Sequence, residues 1–124
     1  MRLLLFAMVL LLLTAYAMAD DNGPGAIGAI ELRKCEICHS LNQGGGNRVG
    51  PNLFGVFGRK AGTVTGFGYS DAMKESGIVW NDETLAKFLR DPKDSLPRNR
   101  MSFPGINDDA TLHDLLQQLK QATR

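Results

Sequence analysis

The stretch that constrains this chain most is Cys-Glu-Ile-Cys-His at positions 35–39. Side chains three positions apart share one face of a helical turn, so Cys35 and Cys38 can both reach one edge of a porphyrin and add to its two vinyl groups. His39 follows at once and can give the iron an imidazole nitrogen. Cys-x-x-Cys-His is the attachment signature of c-type haem, and it predicts a chain folded around one haem that two thioethers hold.

Two other interpretations of the cysteines have to be weighed against haem. A redox-active Cys-x-x-Cys pair is expected beside a βαβ pattern, which this sequence lacks. A structural zinc ion needs four ligands, but the sequence contains two cysteines and, besides His39, only His113. The haem interpretation is therefore favoured over both.

Residues 1–19 have the composition of an export signal. Met1-Arg2 gives a short positive start, positions 3–13 are almost wholly apolar, and Ala17-Met18-Ala19 has the form of a cleavage site. These features predict cleavage after Ala19 and a mature domain of residues 20–124. The alternative is a retained membrane anchor, because the 17 residues from 3 to 19 are at the lower edge of what spans a bilayer. Either way we expect an exported domain in the bacterial periplasm.

The charge balance argues against nucleic-acid binding. The chain has 14 Lys+Arg and 13 Asp+Glu, and Arg2 is the one charged residue among the first 19, so a chain without them is formally neutral. Nucleic-acid-binding domains usually carry a basic excess. Local patches remain, because basic residues cluster near the haem motifs and acidic residues on the last predicted helix. They are Arg33, Lys34, Arg48, Lys93, Arg98 and Arg100, and Asp108, Asp109 and Asp114.

Apolar periodicity and capping residues predict four helices separated by long loops. The helices cover about 25–38, 71–76 behind the cap Ser70, 82–91 behind Asn81 or Asp82, and 108–123. Residues 42–68 contain nine glycines and no helical period. Such a long loop in a compact domain is explained if it wraps a cofactor. Residues 92–107 are expected to be irregular again, with Met101 inside them.

Further motifs resemble class I cytochrome c, both the mitochondrial protein and its short bacterial relatives. The resemblance covers nearly all of residues 26–123. Its motifs are the haem signature at 35–39, Gly-Pro-Asn-Leu at 50–53, Gly-Val-Phe-Gly-Arg at 55–59, Gly-Phe-Gly-Tyr-Ser-Asp-Ala at 66–72, Trp80, and Met-Ser-Phe-Pro-Gly-Ile at 101–106. The resemblance implies an all-α cytochrome c fold, in which three to five helices and long loops wrap one covalently bound haem.

The resemblance also implies roles for individual side chains. His39 and Met101 correspond to the two axial iron ligands, and Pro51 to the residue whose carbonyl accepts the proton of the ligand imidazole. Arg59, Tyr69 and Trp80 correspond to the family's propionate-holding residues. Phe103 corresponds to the family's aromatic residue at the haem edge. Arg59 could instead be an ordinary surface arginine. We favour the propionate role because a buried carboxylate requires such a partner.

The chemistry of Met101 fits the ligand role independently. A thioether is a soft ligand that favours ferrous iron and raises the reduction potential. A methionine is usually core filler, but Met101 lies in a proline-rich loop rather than on a helix face. His113 is the rival sixth ligand. It lies one step off the leucine stripe of the last helix, which is more typical of a solvated histidine.

The sequence departs from the family pattern where the first and last helices are expected to cross and on the methionine side of the haem. Gly28 would let the two backbones approach closely, but Leu32 and Gln118 replace the aromatic pair that is common at this crossing. Phe88 stands where many relatives have a tyrosine bonded to the methionine sulfur, and Met73 where many have a buried asparagine. Both changes make the methionine side of the haem less polar.

The expected function is one-electron transfer rather than catalysis, since two firm iron ligands leave no open position for a substrate. We expect a monomer that exchanges electrons with larger redox proteins at its exposed haem edge. A quinol–cytochrome c oxidoreductase, a terminal oxidase, a reaction centre or a periplasmic dehydrogenase would serve, in a respiratory or photosynthetic chain. The alternatives are a haem enzyme such as a peroxidase, which requires a labile Met101, and a thiol–disulfide protein without haem.

Overall fold

Five helices and long connecting loops make up the chain in the computed structural model, which describes residues 25–124. The helices are α1 Ala26–Glu36, α2 Asp71–Glu75, α3 Asp82–Arg90, α4 Pro92–Ser95 and α5 Asp109–Ala122. In the described part, extended pairing is limited to an isolated antiparallel bridge between Lys60 and Val79. The all-α prediction is thereby confirmed. The predicted export signal lies outside the described residues.

Side-chain caps define where four of the described helices begin. The Ser70 hydroxyl accepts the Met73 N–H at 3.1 Å at the start of α2. Asn81 and Thr84 bond reciprocally at the start of α3, each side chain accepting the other's backbone N–H. These bonds satisfy amides that have no partner within the helix, which is why the chain enters its helices at these positions.

Beyond one-residue shifts at the helix ends, the structure differs from the predicted helices in two places. The first helix ends at Glu36 rather than Cys38, and a tight turn follows in which the Cys35 carbonyl accepts the N–H of both Cys38 and His39, at 3.0 and 2.9 Å. The prediction that residues 92–107 are wholly irregular is wrong. Pro92 ends α3 but also begins α4, because proline suits the first turn of a helix and Asp91 caps the Asp94 N–H at 3.1 Å.

The crossing of α1 and α5 depends on Gly28. Gly28 is buried, and a Cβ built on it would lie 2.5 Å from the carbonyl carbon and oxygen of Asp114. No larger residue fits without moving one of the helices. The Asp114 carboxylate also accepts the Gly25 N–H at 3.3 Å, which places a negative group at the N-terminal end of α1.

The core lies between α3, α5 and the loops. It is built from the buried faces of α3 and α5. These faces consist of Leu85, Phe88 and Leu89 on α3 and Leu112, Leu115, Leu116 and Leu119 on α5. Trp80 packs against Phe88 with the ring centroids 5.2 Å apart. The core is a shell rather than a solid block, because Phe88, Leu89 and Leu119 also face a large cavity.

Among residues 25–124, the helices are all too short or too polar to cross a lipid bilayer.

Candidate haem site

A cavity of about 410 Å³ opens between α1, α3 and the loops, within the usual size range of ligand pockets. Its walls are mainly apolar side chains. All nine residues that the sequence singles out line this one cavity, namely Cys35, Cys38, His39, Pro51, Arg59, Tyr69, Trp80, Met101 and Phe103. His113 does not line it and is exposed on α5.

The imidazole of His39 is fixed in the cavity wall from two sides. Its Nδ1 lies 2.7 Å from the Pro51 carbonyl oxygen, so Nδ1–H donates there and Nε2 remains free to bind a metal. Gly50 lies against the ring, and a Cβ on Gly50 would overlap with it, lying 2.6 Å from Nδ1. The Gly50 N–H donates to the Cys38 carbonyl at 2.8 Å, which ties this loop to the haem motif.

The environment of His39 favours the neutral ring that a metal ligand requires. Burial lowers the pKa of His39, and the nearby charges of Arg59 and Arg48 lower it further, against the opposing hydrogen bond to Pro51. The neutral imidazole is thus available to iron over a wider pH range than that of a solvated histidine.

The two cysteines are free thiols at the cavity wall. Burial, reinforced by the charge of Glu31, raises the pKa of the Cys35 thiol to about 11. A redox-active pair needs a thiolate near neutral pH, so this environment argues against the thiol–disulfide interpretation. The described residues also contain no group of three or more His, Cys, Asp and Glu side chains that could hold a metal ion, as a zinc site would require.

Arg59 provides the test of whether the cavity suits the carboxylates of a haem. Its half-buried guanidinium donates to the carbonyls of Phe54 and Asn52, at 3.1 and 3.0 Å. It forms no ion pair with a carboxylate of residues 25–124, and burial lowers its pKa. A partly buried cation without an anion is costly. A propionate would supply that anion.

Tyr69 and Trp80 line the cavity together with Arg59. The Tyr69 oxygen accepts the Val64 N–H at 3.1 Å, so its own O–H is left to donate, and its ring packs edge-on against Phe67 at 4.8 Å. Trp80 is buried against Phe88. The backbone carbonyl of Trp80 accepts the Gly58 N–H at 2.6 Å, and its backbone N–H donates to the Arg59 carbonyl at 2.9 Å. These two bonds join Trp80 to the loop that carries Arg59.

Met101 and Phe103 enter the cavity from the loop between α4 and α5, and both are half-buried. The Met101 N–H donates to the Asn99 side chain at 2.8 Å. Arg100, which lies between Asn99 and Met101 in the chain, donates from its guanidinium to the Gly68 carbonyl at 3.2 Å. The loop therefore spans the cavity and connects to the glycine-rich loop beyond it.

Sequence reasoning missed two asparagines that hold the site loops. Asn52 donates to the Ser40 hydroxyl at 2.6 Å and accepts the Phe54 N–H at 2.9 Å. The Asn99 side chain makes three bonds, to the carbonyls of Pro92 and Leu96 at α4 and to the Met101 N–H in the methionine loop. For Asn52 a signal existed, since it lies in the Gly-Pro-Asn-Leu motif. For Asn99 there was none.

No protein-family model matches the chain. It is 43% identical over 122 residues to cytochrome c2 of Blastochloris viridis, covering 98% of this chain and 94% of that protein. It is 46% identical over 94 residues to cytochrome c2 of Rhodoplanes tepidamans, covering 76% and 88%, and 47% identical over 109 residues to cytochrome c of Chlamydomonas reinhardtii, covering 88% and 96%. Together with the cavity around Cys35, Cys38 and His39, these likenesses show that the chain belongs to the cytochrome c family and is an electron carrier with covalently bound haem c.

Proposed function

We propose that His39 and Met101 bind the haem iron from opposite sides, while Cys35 and Cys38 form the thioethers. One observation carries this proposal. The haem motif and the methionine loop open on the same cavity, and the bond to Pro51 leaves Nε2 as the free nitrogen of His39. Met73 also lines the cavity, but it lies on α2 and not in the loop that carries Met101.

The haem supplies a one-electron iron couple, and the residues of the chain set its surroundings. Pro51 keeps the His39 ring in one orientation and one tautomer. Arg59 and Tyr69 offer donors to the two propionates. The apolar walls, among them Leu85, Leu89 and Leu119, exclude water and favour the less charged, ferrous form. His39 and Met101 would hold the group, and a fixed pair of ligands would leave little to rearrange when its iron changes oxidation state.

With both axial positions filled by side chains, the protein would transfer electrons without binding a substrate at iron. We therefore propose that it is not an enzyme. The rival peroxidase function needs an open sixth position. The resting spectrum separates them, because six-coordinate low-spin iron supports electron transfer and high-spin iron supports catalysis.

The ligand set is tested by Met101→Ala, with Met73→Ala as the matched control. Met101→Ala should keep the covalent haem, since both thioethers remain, but lose the sixth ligand. We expect high-spin or water-bound iron and a lower potential, because the thioether that favours ferrous iron is gone. Met73→Ala removes the other methionine of the cavity and should keep the low-spin spectrum. An unchanged spectrum and potential in Met101→Ala would show that another group binds the iron.

The electron-transfer partners are proposed to dock at the cavity mouth. Val49 and Phe103 line that opening, and the exposed Ile37 is the residue that follows α1; we call these three side chains the apolar rim. Ile37 is 70% exposed and Val49 is 79% exposed. Arg48 donates to the carbonyls of Glu36 and Ile37, at 2.8 and 3.3 Å, and so keeps Val49 beside the end of α1. Lys34 and Arg100 line the same opening and supply positive charge.

We propose that the protein works as a monomer in the bacterial periplasm, after cleavage of the export signal at Ala19. Its donors and acceptors would be larger redox proteins, such as a quinol–cytochrome c oxidoreductase, a terminal oxidase, a reaction centre or a dehydrogenase. The mass of the exported protein tests the cleavage. A mass that includes residues 1–19 would indicate a membrane-tethered carrier instead. The partner is found by measuring which of these proteins reduces or oxidises it fastest.

A further inference from the structure

The loop that carries Met101 is fastened to α4 mainly by one side chain, beside a single backbone bond from the Asn99 N–H to the Leu96 carbonyl at 3.2 Å. The Asn99 amide nitrogen donates to the carbonyls of Pro92 and Leu96, each at 2.7 Å. Its oxygen accepts the Met101 N–H at 2.8 Å. Asn99 thus joins the C-terminal end of α4 to the backbone of Met101, and it uses both halves of its amide to do so.

The rest of the loop has few other attachments on the way to α5. At its far end the Ile106 N–H donates to the Leu89 carbonyl at 3.0 Å, and Arg90 donates to the Asn107 carbonyl at 3.1 Å. Between residues 100 and 105, the Met101 N–H is the one backbone amide that has a hydrogen-bond acceptor among the described residues. The neighbouring Arg100 adds one exposed side-chain bond, to the Gly68 carbonyl at 3.2 Å, but the backbone of Met101 itself is held by Asn99.

The backbone just before Asn99 has a reason to move if that attachment is lost. Arg98 has a φ of 66°, in the left-handed region, and is the one residue other than glycine with a positive φ in the described chain. A side chain in that region costs free energy and persists only where its surroundings impose it. The bonds of Asn99 to α4, on the next residue, are such surroundings.

We propose that Asn99 is a positioning residue that sets how firmly Met101 stays on the iron. The proposal rests on Met101 being the sixth ligand, as proposed above. Asn99 itself does not line the cavity, so it acts through the backbone of the loop and not through contact with the haem. Without its three side-chain bonds, only the backbone bond from Asn99 to Leu96 still holds this part of the loop to α4, so Arg98 can relax, the loop gains alternative conformations, and Met101 leaves the iron more often.

Competition with an external ligand measures this effect. Imidazole binds ferric iron only when Met101 has left, so its apparent affinity reports the fraction of protein with a free sixth position. In Asn99→Ala we expect imidazole to bind about tenfold more tightly, which corresponds to about 1.4 kcal/mol, because only part of the free energy of the three lost bonds serves to keep Met101 on the iron. The low-spin spectrum without imidazole should persist.

Asn81→Ala is the matched control. Asn81 also uses its side chain to fasten backbone, as the cap of α3, but it has no bond to the methionine loop. Losing it should lower the thermal stability of the fold and leave the imidazole affinity within twofold of the unmodified protein. Equal imidazole affinities in Asn99→Ala and Asn81→Ala would overturn the proposal, because Asn99 would then be only a structural residue.

Amide hydrogen exchange in the unmodified ferric protein gives a second test, which stands even if Asn99→Ala does not fold. The Met101 amide should exchange at least tenfold more slowly than that of Ser102, which has no acceptor among residues 25–124. Equal exchange of the two amides would overturn the proposal. Failure of the ligand assignment looks different: the unmodified protein would lack the methionine-to-iron charge-transfer absorption, whatever Asn99→Ala does.

Discussion

At the scale of single residues, the site depends on which atoms each side chain leaves free. His39 uses Nδ1 on Pro51 and keeps Nε2 for iron. Tyr69 accepts the Val64 N–H and keeps its own proton. Arg59 spends two donors on carbonyls but has no carboxylate partner in the described chain. In each case a fixed side chain presents one unused polar group, and that combination suits a planar cofactor with one iron and two carboxylates.

Phe88 offers a test of how the protein tunes the iron. Its ring packs on Trp80 and lines the cavity with Met101. A tyrosine hydroxyl here would donate to the Met101 sulfur, withdraw electron density and disfavour ferric iron. Phe88→Tyr should therefore raise the reduction potential on voltammetry by about 40 mV, the equivalent of one hydrogen bond of about 1 kcal/mol.

The matched control is Phe57→Tyr, since Phe57 lies under the Lys120 ammonium and does not line the cavity. Its potential should stay unchanged. A fall in the potential of Phe88→Tyr, or no change, would mean that the hydroxyl does not reach Met101.

At the scale of helices and loops, the close contact of Gly28 with α5 makes a stability prediction. A methyl group at Gly28 would overlap with the Asp114 backbone. Overpacking of this kind costs about 1–3 kcal/mol, more than alanine gains over glycine in a helix. Gly28→Ala should therefore lower the melting temperature, as followed by circular dichroism. Gly46→Ala is the control, because the space around Gly46 is open within 4 Å. Equal melting temperatures would show that the crossing tolerates a shift.

The sequence predicted the helices better than it predicted what joins the loops. Ser70, Asn81 and Asp108 mark helix starts by local chemistry that can be read from the chain. α4 was missed because Pro92 suits the end of one helix and the start of the next equally well. The bonds of Asn99 could not be foreseen, since they depend on how the loop folds back on α4. The loop residues of the cavity came from likeness to a family, because loops carry no periodicity.

At the scale of the whole molecule, the balance of charge bears on partner docking. The basic residues near the cavity are partly engaged within the protein. Lys34 pairs with Glu31 at 2.6 Å, and Arg48 and Arg100 donate to backbone carbonyls. Lys93 is exposed and forms no ion pair within residues 25–124. The apolar rim therefore has only a modest positive surround, and it should guide partners less strongly than a cationic carrier would.

The reaction rate with the physiological partner should fall as salt rises, because salt screens the attraction over about 8 Å at physiological strength. Reversing a single positive charge, in Lys93→Glu, Lys34→Glu or Arg48→Glu, should also lower the rate measured by stopped flow. Lys60→Glu is the control, an exposed position that does not line the cavity.

Lys120 is unsuitable as that control, because it pairs with Asp82 at 2.6 Å and lies 5.0 Å from the centre of the Phe57 ring. Rates that depend neither on salt nor on these charge reversals would indicate that docking is apolar, through Ile37, Val49 and Phe103.

The crossing of α1 and α5 also bears on when the haem can be attached. The bond from Gly25 to Asp114 joins residues 89 positions apart, and long-range closure of this kind is a slow step of folding. Cys35 lies in the first helix and Cys38 just after it, whereas Leu119, which walls the cavity, lies close to the end of the chain. A chain ending before residue 109 would possess both attachment sulfurs, His39 and most of the cavity wall, and would lack Leu119 and the crossing with α1. The haem can thus be attached before the crossing forms, and the last helix then completes the wall and the core behind it.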